Sequence, residues 1–179
     1  EVEDALDESN LVSGYLTCHT ASYTAQSETY SVDCYLQTAE SQEALAPFVS
    51  LRHRTNDDPV TLPDDGAVIT EKMAILLDVE PGDTITLEGD SRVTIRVADI
   101  TEHYIQHYIY LSDTYYEKVF GSPPEDNTIL VDLSTDTDQA EELESQLVAL
   151  DGVTSLTLIT DTRDTFTSSL ESIDYAVIL

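Results

Sequence analysis

Hydrophobic and polar residues alternate along much of the chain, and the period of this alternation predicts where strands and helices lie. Residues 13–22 (SGYLTCHTAS) and 30–38 (YSVDCYLQT) alternate with period two, which is typical of strands. A turn at Gln26 would join them into a hairpin with one apolar and one polar face. The predicted cross-strand pairs are Leu16 with Leu36, Cys18 with Cys34, and Thr20 with Val32.

The segment that follows predicts a short helix, a loop and then a longer amphipathic helix. Residues 41–51 favour a helix broken near Pro47, and residues 52–66 have the Asn, Asp, Pro and Gly content of a loop. Residues 69–78 predict a helix with Thr70 as its cap. The expected core stripe of this helix is Ile69, Met73, Leu76 and Leu77.

A turn and a hairpin come next. Pro81-Gly82 suits the centre of a type II turn, because Pro fixes the first φ and Gly accepts the positive second one. Residues 84–100 (TITLEGDSRVTIRVADI) predict a hairpin about Gly89-Asp90. The side chains expected to point inward are Ile85, Leu87, Val93, Ile95 and Val97.

The remainder of the chain alternates between strand and helix patterns. The predicted elements are strand 103–112, helix 113–120 ended by Gly121, strand 127–133, helix 137–150 and strand 153–160. The last three form a strand-helix-strand unit, which should be right-handed with parallel strands. The expected core stripe of its helix is Ala140, Leu143, Leu147 and Leu150.

The two ends of the chain suggest a segment of a longer protein. The sequence begins at Glu1 without an initiator Met or a signal peptide. Residues 165–179 have apolar positions at helical spacing and end in YAVIL, so we expect a helix that runs into a membrane in the parent protein. No apolar run in the sequence approaches the ~20 residues that span a bilayer.

Charge narrows the range of partners. The 179 residues include 36 acidic and 7 basic ones, for a formal net charge of −29. Nucleic acids and anionic membranes are poor partners, because both are bound mainly through clustered Lys and Arg. A need for solubility is sufficient to explain such an acidic surface. The more specific explanations are a halophilic source, a cationic ligand or weak surface calcium sites.

Motifs for catalysis and cofactor binding are missing from the sequence. Its six glycines match neither the P-loop nor the dinucleotide pattern, and no nucleophile-elbow pattern occurs. We therefore expect no nucleotide, no cofactor and no hydrolase activity.

Two sets of residues invite a metal hypothesis. His103 and His107 with Glu102 could bind zinc from a helix, but the surrounding tyrosines and isoleucines favour a strand, on which the histidines are too far apart to chelate. Asp132, Asp136 and Asp138 depart from the EF-hand order, which leaves adventitious calcium as the alternative. We expect no dedicated metal site.

The two cysteines, Cys18 and Cys34, are too few for a tetrahedral zinc site. Their placement about Gln26 predicts either a cross-strand disulfide or two small buried hydrophobic residues.

Four stretches together resemble a known family: LPDDGAVITEKMAILLDVEPGDTITLEG, VTIRVADITEHYIQHYIYLSDTYYEKVFG, NTILVDLS and LVALDGVTSLT. Their order resembles the extracytoplasmic domains of FtsX-like, or MacB-type, ABC transporter permeases, in the variant of Gram-positive bacteria. The likeness covers residues 60–179, whereas residues 1–59 match only in strand pattern. It implies a structural role for Gly82 and Asp83 as the family's turn. Gly66, in the loop before the helix, is expected to be structural as well.

The resemblance implies an α+β, two-lobed mixed domain. Residues 1–48 and 113–179 would form a strand-helix-strand (ferredoxin-like) lobe, and residues 49–112 an inserted β-rich lobe.

The implied function is non-catalytic. Such domains lie on the extracellular face of the cell membrane and move with a cytoplasmic ATPase subunit, to export peptides, extract lipoproteins, sense antimicrobial peptides or activate cell-wall hydrolases. The strong negative charge favours a cationic peptide ligand among these roles. The alternative is a secreted ligand-binding or adhesion module unattached to a transporter.

Overall fold

The computed structural model describes residues 2–103, 106–133, 143, 145–150 and 153–156, and this part of the chain has a mixed α+β fold. The helices are α1 (Val2–Glu8), α2 (Gln42–Leu45), α3 (Glu71–Leu77) and α4 (Asp113–Phe120). The strands are β1 (Val12–Cys18), β2 (Thr20–Gln26), β3 (Ser31–Ala39), β4 (Ala67–Thr70), β5 (Thr84–Glu88), β6 (Arg92–Thr101), β7 (Tyr108–Ser112) and β8 (Thr128–Leu133).

Six of the strands close into a barrel in the order β2-β3-β7-β4-β6-β5. The neighbours β3 and β7 are parallel, as are β4 and β6, while the other pairs in the barrel are antiparallel. Strands β1 and β8 form a separate two-stranded sheet. Closure pairs both edges of every barrel strand, so the barrel has no free edge.

Two hydrophobic clusters stabilise this arrangement, one on each side of the barrel wall. The inner cluster fills the barrel and includes Leu36, Ile69, Met73, Ile95 and Ile109, all buried. Since successive side chains on a strand point to opposite faces, Val68 and Tyr110 lie on the outside, where they join the second cluster. That cluster also contains Leu45 of α2 and the loop side chains Leu51, Val60 and Leu62.

Several predicted elements are confirmed. Helix α2 begins after Ser41, whose hydroxyl accepts a hydrogen bond from the Ala44 N–H, and it ends before Pro47. The hairpin of β5 and β6 has the predicted inward pair Ile85 and Ile95 in direct register. Helix α4 ends at Gly121, which has the positive φ of 82° expected of a helix C-cap.

The predicted register of the first hairpin is wrong. Strand β2 begins at Thr20 and pairs with β3 so that Tyr23, not Cys18, lies opposite Cys34. The turn spans residues 27–30, where the Ser27 N–H donates to the Tyr30 carbonyl oxygen. Residues 12–18 pair with β8 instead, so the period-two stretch 13–22 contains parts of two strands that belong to different sheets.

The predicted start of the amphipathic helix is also wrong. Residues Ala67–Thr70 form strand β4, buried throughout, and the helix begins only at Glu71. A short strand that is buried on both faces has no alternation of polar and apolar residues, so the sequence pattern does not distinguish it from a helix. Thr70 is at the N-cap position, but its hydroxyl makes no cap bond and instead accepts from the Tyr108 N–H at 3.4 Å. Leu76, predicted on the core stripe, is 45% exposed.

The strand predicted at 103–112 is shorter than expected. Strand β7 begins at Tyr108, because Gln106 adopts a left-handed conformation with φ of 62° and interrupts the extended backbone. His103 and His107 therefore do not share a strand face, contrary to the prediction.

The chain divides into two compact units, Ser13–Asp132 and a second unit made of Glu1–Val12 and Leu133–Leu179. The lobe boundary predicted at residues 48 and 49 falls inside the barrel, since β2 and β3 pair with β5 and β7. Leu143 and Leu147 of the predicted helix 137–150 are buried. Residues 145–148 are helical, and residues 153–156 have no strand assignment. Residues 137–142, 144, 157–160 and the terminal segment 165–179 lie outside the described residues, so the ferredoxin-like lobe stays a prediction.

Candidate functional site

The predicted turn at Gly82-Asp83 is present and is fixed to the barrel. Gly82 has a φ of 107°, as the third residue of a type II turn requires, and a Cβ there would meet nothing within 4 Å. Asp83 closes the turn, since its N–H donates to the Glu80 carbonyl oxygen and its carboxylate accepts from the Glu80 N–H. Two backbone hydrogen bonds attach the turn to Val97 of β6. The Gly82 N–H donates to the Val97 carbonyl oxygen, and the Val97 N–H donates to the Asp83 carbonyl oxygen. The turn is a rigid connection between α3 and β5.

Gly66 is required for a different reason, namely space. A Cβ at this position would lie 2.6 Å from the Ala98 Cβ and 3.2 Å from the Arg96 carbonyl oxygen. The glycine therefore lets the chain approach β6 closely just before it enters β4.

The two cysteines are buried, unbonded and separated. Burial raises the pKa of Cys34 to about 12, and its thiol donates to the Tyr23 carbonyl oxygen at 3.5 Å. Burial also raises the pKa of Cys18, whose sulfur accepts a 3.6 Å hydrogen bond from the Gln37 amide. The predicted disulfide is absent because the register that would have paired the two residues is not the one adopted. Both behave as small buried side chains.

The residues considered for zinc do not converge. Glu102 accepts a 2.9 Å hydrogen bond from Arg52, and the His103 ring lies edge-on to Tyr108 at 5.2 Å. Burial and the nearby Lys72 lower the pKa of His107. Within the part of the chain that the structure describes, no three His, Cys, Asp or Glu side chains are grouped so as to hold a metal ion. Of the proposed calcium ligands, Asp136 and Asp138 lie outside that part.

A polar junction holds the chain where it passes from β1 to β2. The Asn127 side chain accepts from the Thr20 N–H at 2.8 Å and donates to the Thr20 carbonyl oxygen at 2.9 Å. The His19 Nδ1 lies 2.7 Å from the Glu125 carbonyl oxygen. These contacts join residues 19 and 20 to the segment that precedes β8.

Asp113 is an unfavourably placed carboxylate at the start of α4. Burial raises its pKa, the hydroxyl of Thr38 lowers it by hydrogen bonding, and Asp126 and Glu40 raise it further. One of its oxygens is buried without a hydrogen-bond partner. The nearby His19 lowers the pKa slightly, and the net effect is a pKa raised above the usual value of an aspartate.

The outer face of the barrel carries a row of aromatic rings across β3 and β7, which we call the aromatic strip and define as Tyr35, Tyr108 and Tyr110. Tyr110 is buried, and its ring stacks on that of Tyr108 at 5.7 Å with an interplanar angle of 12°. Tyr108 in turn lies 5.6 Å from Tyr35, its direct neighbour in the parallel register. Tyr35 is 38% exposed, so the strip runs from the outer hydrophobic cluster to solvent.

An exposed acid flanks the open end of the aromatic strip. Asp33 precedes Tyr35 by two residues on β3 and shares its face of the sheet. The Thr24 hydroxyl donates to the Asp33 carboxylate at 2.8 Å, which orients that group. Among the described arginines, Arg54 forms an ion pair with Glu71 and Arg92 with Glu88.

None of the helices in the described part of the chain combines the length and the hydropathy of a membrane-spanning segment. That part is a mixed α+β domain built around a closed barrel, with a hydrogen-bonded turn and an aromatic strip that reaches solvent at Tyr35.

Comparison with solved structures identifies proteins of similar fold. The extracellular domain of the noncanonic ABC-type transporter YknZ from Gram-positive bacteria matches with a TM-score of 0.52 and 18% identity, over 79% of this chain and 75% of that one. The periplasmic region of MacB from Actinobacillus actinomycetemcomitans matches with a TM-score of 0.48 and 16% identity, over 95% of this chain and 81% of that one. No protein-family model and no curated protein matches significantly. The resemblance to FtsX-like or MacB-type extracytoplasmic domains is thus confirmed at the level of the fold.

The sequence by itself does not predict the aromatic strip. The stretch HYIQHYIYLS is visibly rich in tyrosine, and its Tyr108 and Tyr110 are two residues apart, which places them on one face. Their neighbour Tyr35 is far away in sequence, and the pairing of β3 with β7 leaves no periodic signal.

Proposed function

We propose that this chain is the extracytoplasmic domain of an ABC transporter permease of the FtsX-like, MacB-type class. The observation that carries the proposal is the fold shared with the extracellular domain of YknZ, together with the sequence resemblance over residues 60–179. The parent protein is then an integral membrane protein, and its domain faces the outside of the cell. A separate cytoplasmic ATPase subunit drives it through the membrane part.

The role of the domain in this proposal is mechanical and non-catalytic. The turn at Gly82-Asp83 is fixed by hydrogen bonds to Val97, and the barrel is closed, so this unit moves as a rigid body rather than deforming. Rigid-body movement is the means by which such a domain transmits ATP-driven motion in export, sensing or mechanotransmission.

The first test is the coding sequence that flanks this segment. Predicted membrane helices on both sides, with a neighbouring gene for a nucleotide-binding ATPase, are the expected result. Flanks without membrane helices would favour the secreted ligand-binding or adhesion module.

The second test is biochemical and uses the full-length parent protein reconstituted with its ATPase. Hydrogen exchange in residues 13–132 is compared between nucleotide-free and vanadate-trapped states. We expect little change inside the barrel, since a rigid body keeps its own hydrogen bonds, and changes at its boundaries. Identical exchange throughout would contradict a coupling role.

We also propose a cationic peptide as the ligand, on the basis of the formal net charge of −29. Binding should be weak and should fall steeply as salt rises, because exposed charges are largely screened beyond ~8 Å at physiological ionic strength. Titration of the isolated domain with a basic peptide at low and high salt tests this, and salt-independent binding would contradict it.

A further inference from the structure

The aromatic strip is a preorganised surface. Tyr110 is buried in the outer cluster and stacks on Tyr108, and Tyr108 restrains the ring of Tyr35. The Tyr108 hydroxyl donates to the Gln106 amide oxygen at 3.3 Å, which fixes the ring from its other end. A ligand that packs on rings held in this way loses little of its binding free energy to the ordering of side chains.

The open end of the strip offers a ring face and a carboxylate together. Adjacent residues on one face of a strand are about 7 Å apart, and neighbouring strands are about 4.8 Å apart. Asp33, Tyr35 and Tyr108 therefore form one compact group on the outer face. A flat cation fits this group, because it can lie over the phenol ring and donate hydrogen bonds to the carboxylate.

The closed barrel restricts how a peptide can bind. Strand addition needs an open sheet edge, and each of the six barrel strands is paired on both sides. Recognition on this surface has to use side chains. Arginine suits the site better than lysine, because its planar guanidinium stacks on aromatic rings while its N–H groups reach a carboxylate.

We propose that Tyr35, Tyr108 and Asp33 form a docking site for an arginine side chain of a basic peptide. This inference rests on the cationic ligand proposed above and does not depend on membership of a transporter. The charge complementarity between a domain of −29 and a basic segment argues for a peptide as the occupant.

The experiment uses the isolated 179-residue chain and a short peptide of alternating arginine and glycine, followed by NMR or calorimetry at low salt. The substitution Tyr35→Leu removes the ring and retains an apolar side chain, so we expect affinity to fall about two- to five-fold. Tyr35→Phe keeps the ring and should bind nearly as well as the wild type. Asp33→Asn should weaken binding by a similar factor to Tyr35→Leu.

Two controls separate this site from general charge attraction. Tyr30→Leu removes another exposed tyrosine, which lies in the turn at residues 27–30 and is 51% exposed, and it should leave affinity unchanged. A peptide with citrulline in place of arginine keeps the shape without the charge and should not bind.

The proposal is overturned if Tyr35→Leu binds the arginine peptide as tightly as the wild type, or if Tyr30→Leu weakens binding equally. It is also overturned if the citrulline peptide binds as well as the arginine peptide, or if neither peptide binds. If binding depends on salt but is unchanged by Tyr35→Leu, the proposal of a cationic ligand stands and the proposed arginine site is wrong. Because Tyr35 is partly exposed, its variants should fold, and an unchanged Tm confirms that they do.

Discussion

Cys34 lies directly opposite Tyr23 across β2 and β3, and its thiol donates a 3.5 Å hydrogen bond to the carbonyl oxygen of that residue. Both cysteines are free, because in this register Cys18 precedes β2 and is five residues along the chain from Tyr23, the residue opposite Cys34. We predict that both thiols are titrated in denatured, unreduced protein, even when the protein is produced under oxidising conditions. Titration of fewer than two thiols would contradict the structure.

The reactivity of the Cys34 thiol in the folded protein should also depend on pH. The folded pKa of Cys34 is about 12, above the reference value of 9.0. A raised pKa means that the group contributes stability below pH ~9, and that this contribution is lost as the pH rises towards 12. Alkylation of native Cys34 should therefore stay slow at pH 8 and at pH 9 and become fast only as the pH approaches 12. Cys34→Ala should lose less stability than the wild type between pH 9 and pH 12.

Substitutions at three glycines should show whether a glycine is required because a side chain would clash or because its backbone has a positive φ. Gly66→Ala places a Cβ 2.6 Å from that of Ala98, so we expect a loss of about 1–3 kcal/mol in the free energy of unfolding. Gly82→Ala meets no atom but must adopt a φ of 107°, which should cost about 1 kcal/mol or more. Gly14→Ala is the control, since its nearest neighbour is 4.0 Å away.

Urea denaturation of the three variants measures these differences. The double variant Gly66→Ala with Ala98→Gly should recover part of the lost stability, because it removes the closest of the clashing atoms. A Gly66→Ala protein as stable as Gly14→Ala would contradict the close approach of the chain to β6.

Asn127 should contribute measurably to the junction between β1 and β2. Its side chain makes two hydrogen bonds to the backbone of Thr20, and each is worth about 0.5–1.5 kcal/mol. Asn127→Ala is therefore expected to lower the free energy of unfolding by about 1–3 kcal/mol. Asn127→Asp keeps the hydrogen-bond acceptor and loses the donor, so its free energy of unfolding should lie between those of the wild type and Asn127→Ala. Equal stability of all three proteins in thermal denaturation would contradict this role.

Asp113 should destabilise the folded protein at neutral pH. Its folded pKa is raised, first by burial, so its contribution to stability is present below the unfolded pKa and is lost as the pH rises through the folded one. Asp113→Asn should therefore have a higher Tm than the wild type at pH 7. The difference should shrink as the pH falls, and a gap that is constant with pH would show that burial of the charged carboxylate is not its cause. Asp64→Asn, a change at an exposed acid, is the matched control.

Local chemistry allowed several elements to be predicted from the sequence. Pro81-Gly82 and Gly121 are constrained by their own backbone conformations, and the alternation from Ile85 to Val97 fits a single two-stranded register. These features depend on a few neighbouring residues, which is why sequence patterns report them.

Strand pairings between distant parts of the chain could not be predicted from the sequence pattern. His19 lies between a strand of one sheet and a strand of the other, and the side chain that bonds to the next residue, Asn127, is distant in sequence. Strand β4 is buried on both faces and so has no alternation, and the partnership of Tyr35 with Tyr108 depends on a parallel crossover. Both the aromatic strip and the barrel closure arise from such contacts.

The position of β7 between β3 and β4 has a consequence for the order of synthesis and folding. Tyr35 pairs with Tyr108, so the barrel has a gap in its wall until the chain has been made as far as Ser112. Until then the hairpin of β2 and β3 has an unpaired edge and an uncovered apolar face. Pairings this distant in sequence form slowly, since their loop-closure entropy must be overcome first. A nascent chain that ends before Tyr108 should therefore be the form most dependent on chaperones and most exposed to proteases.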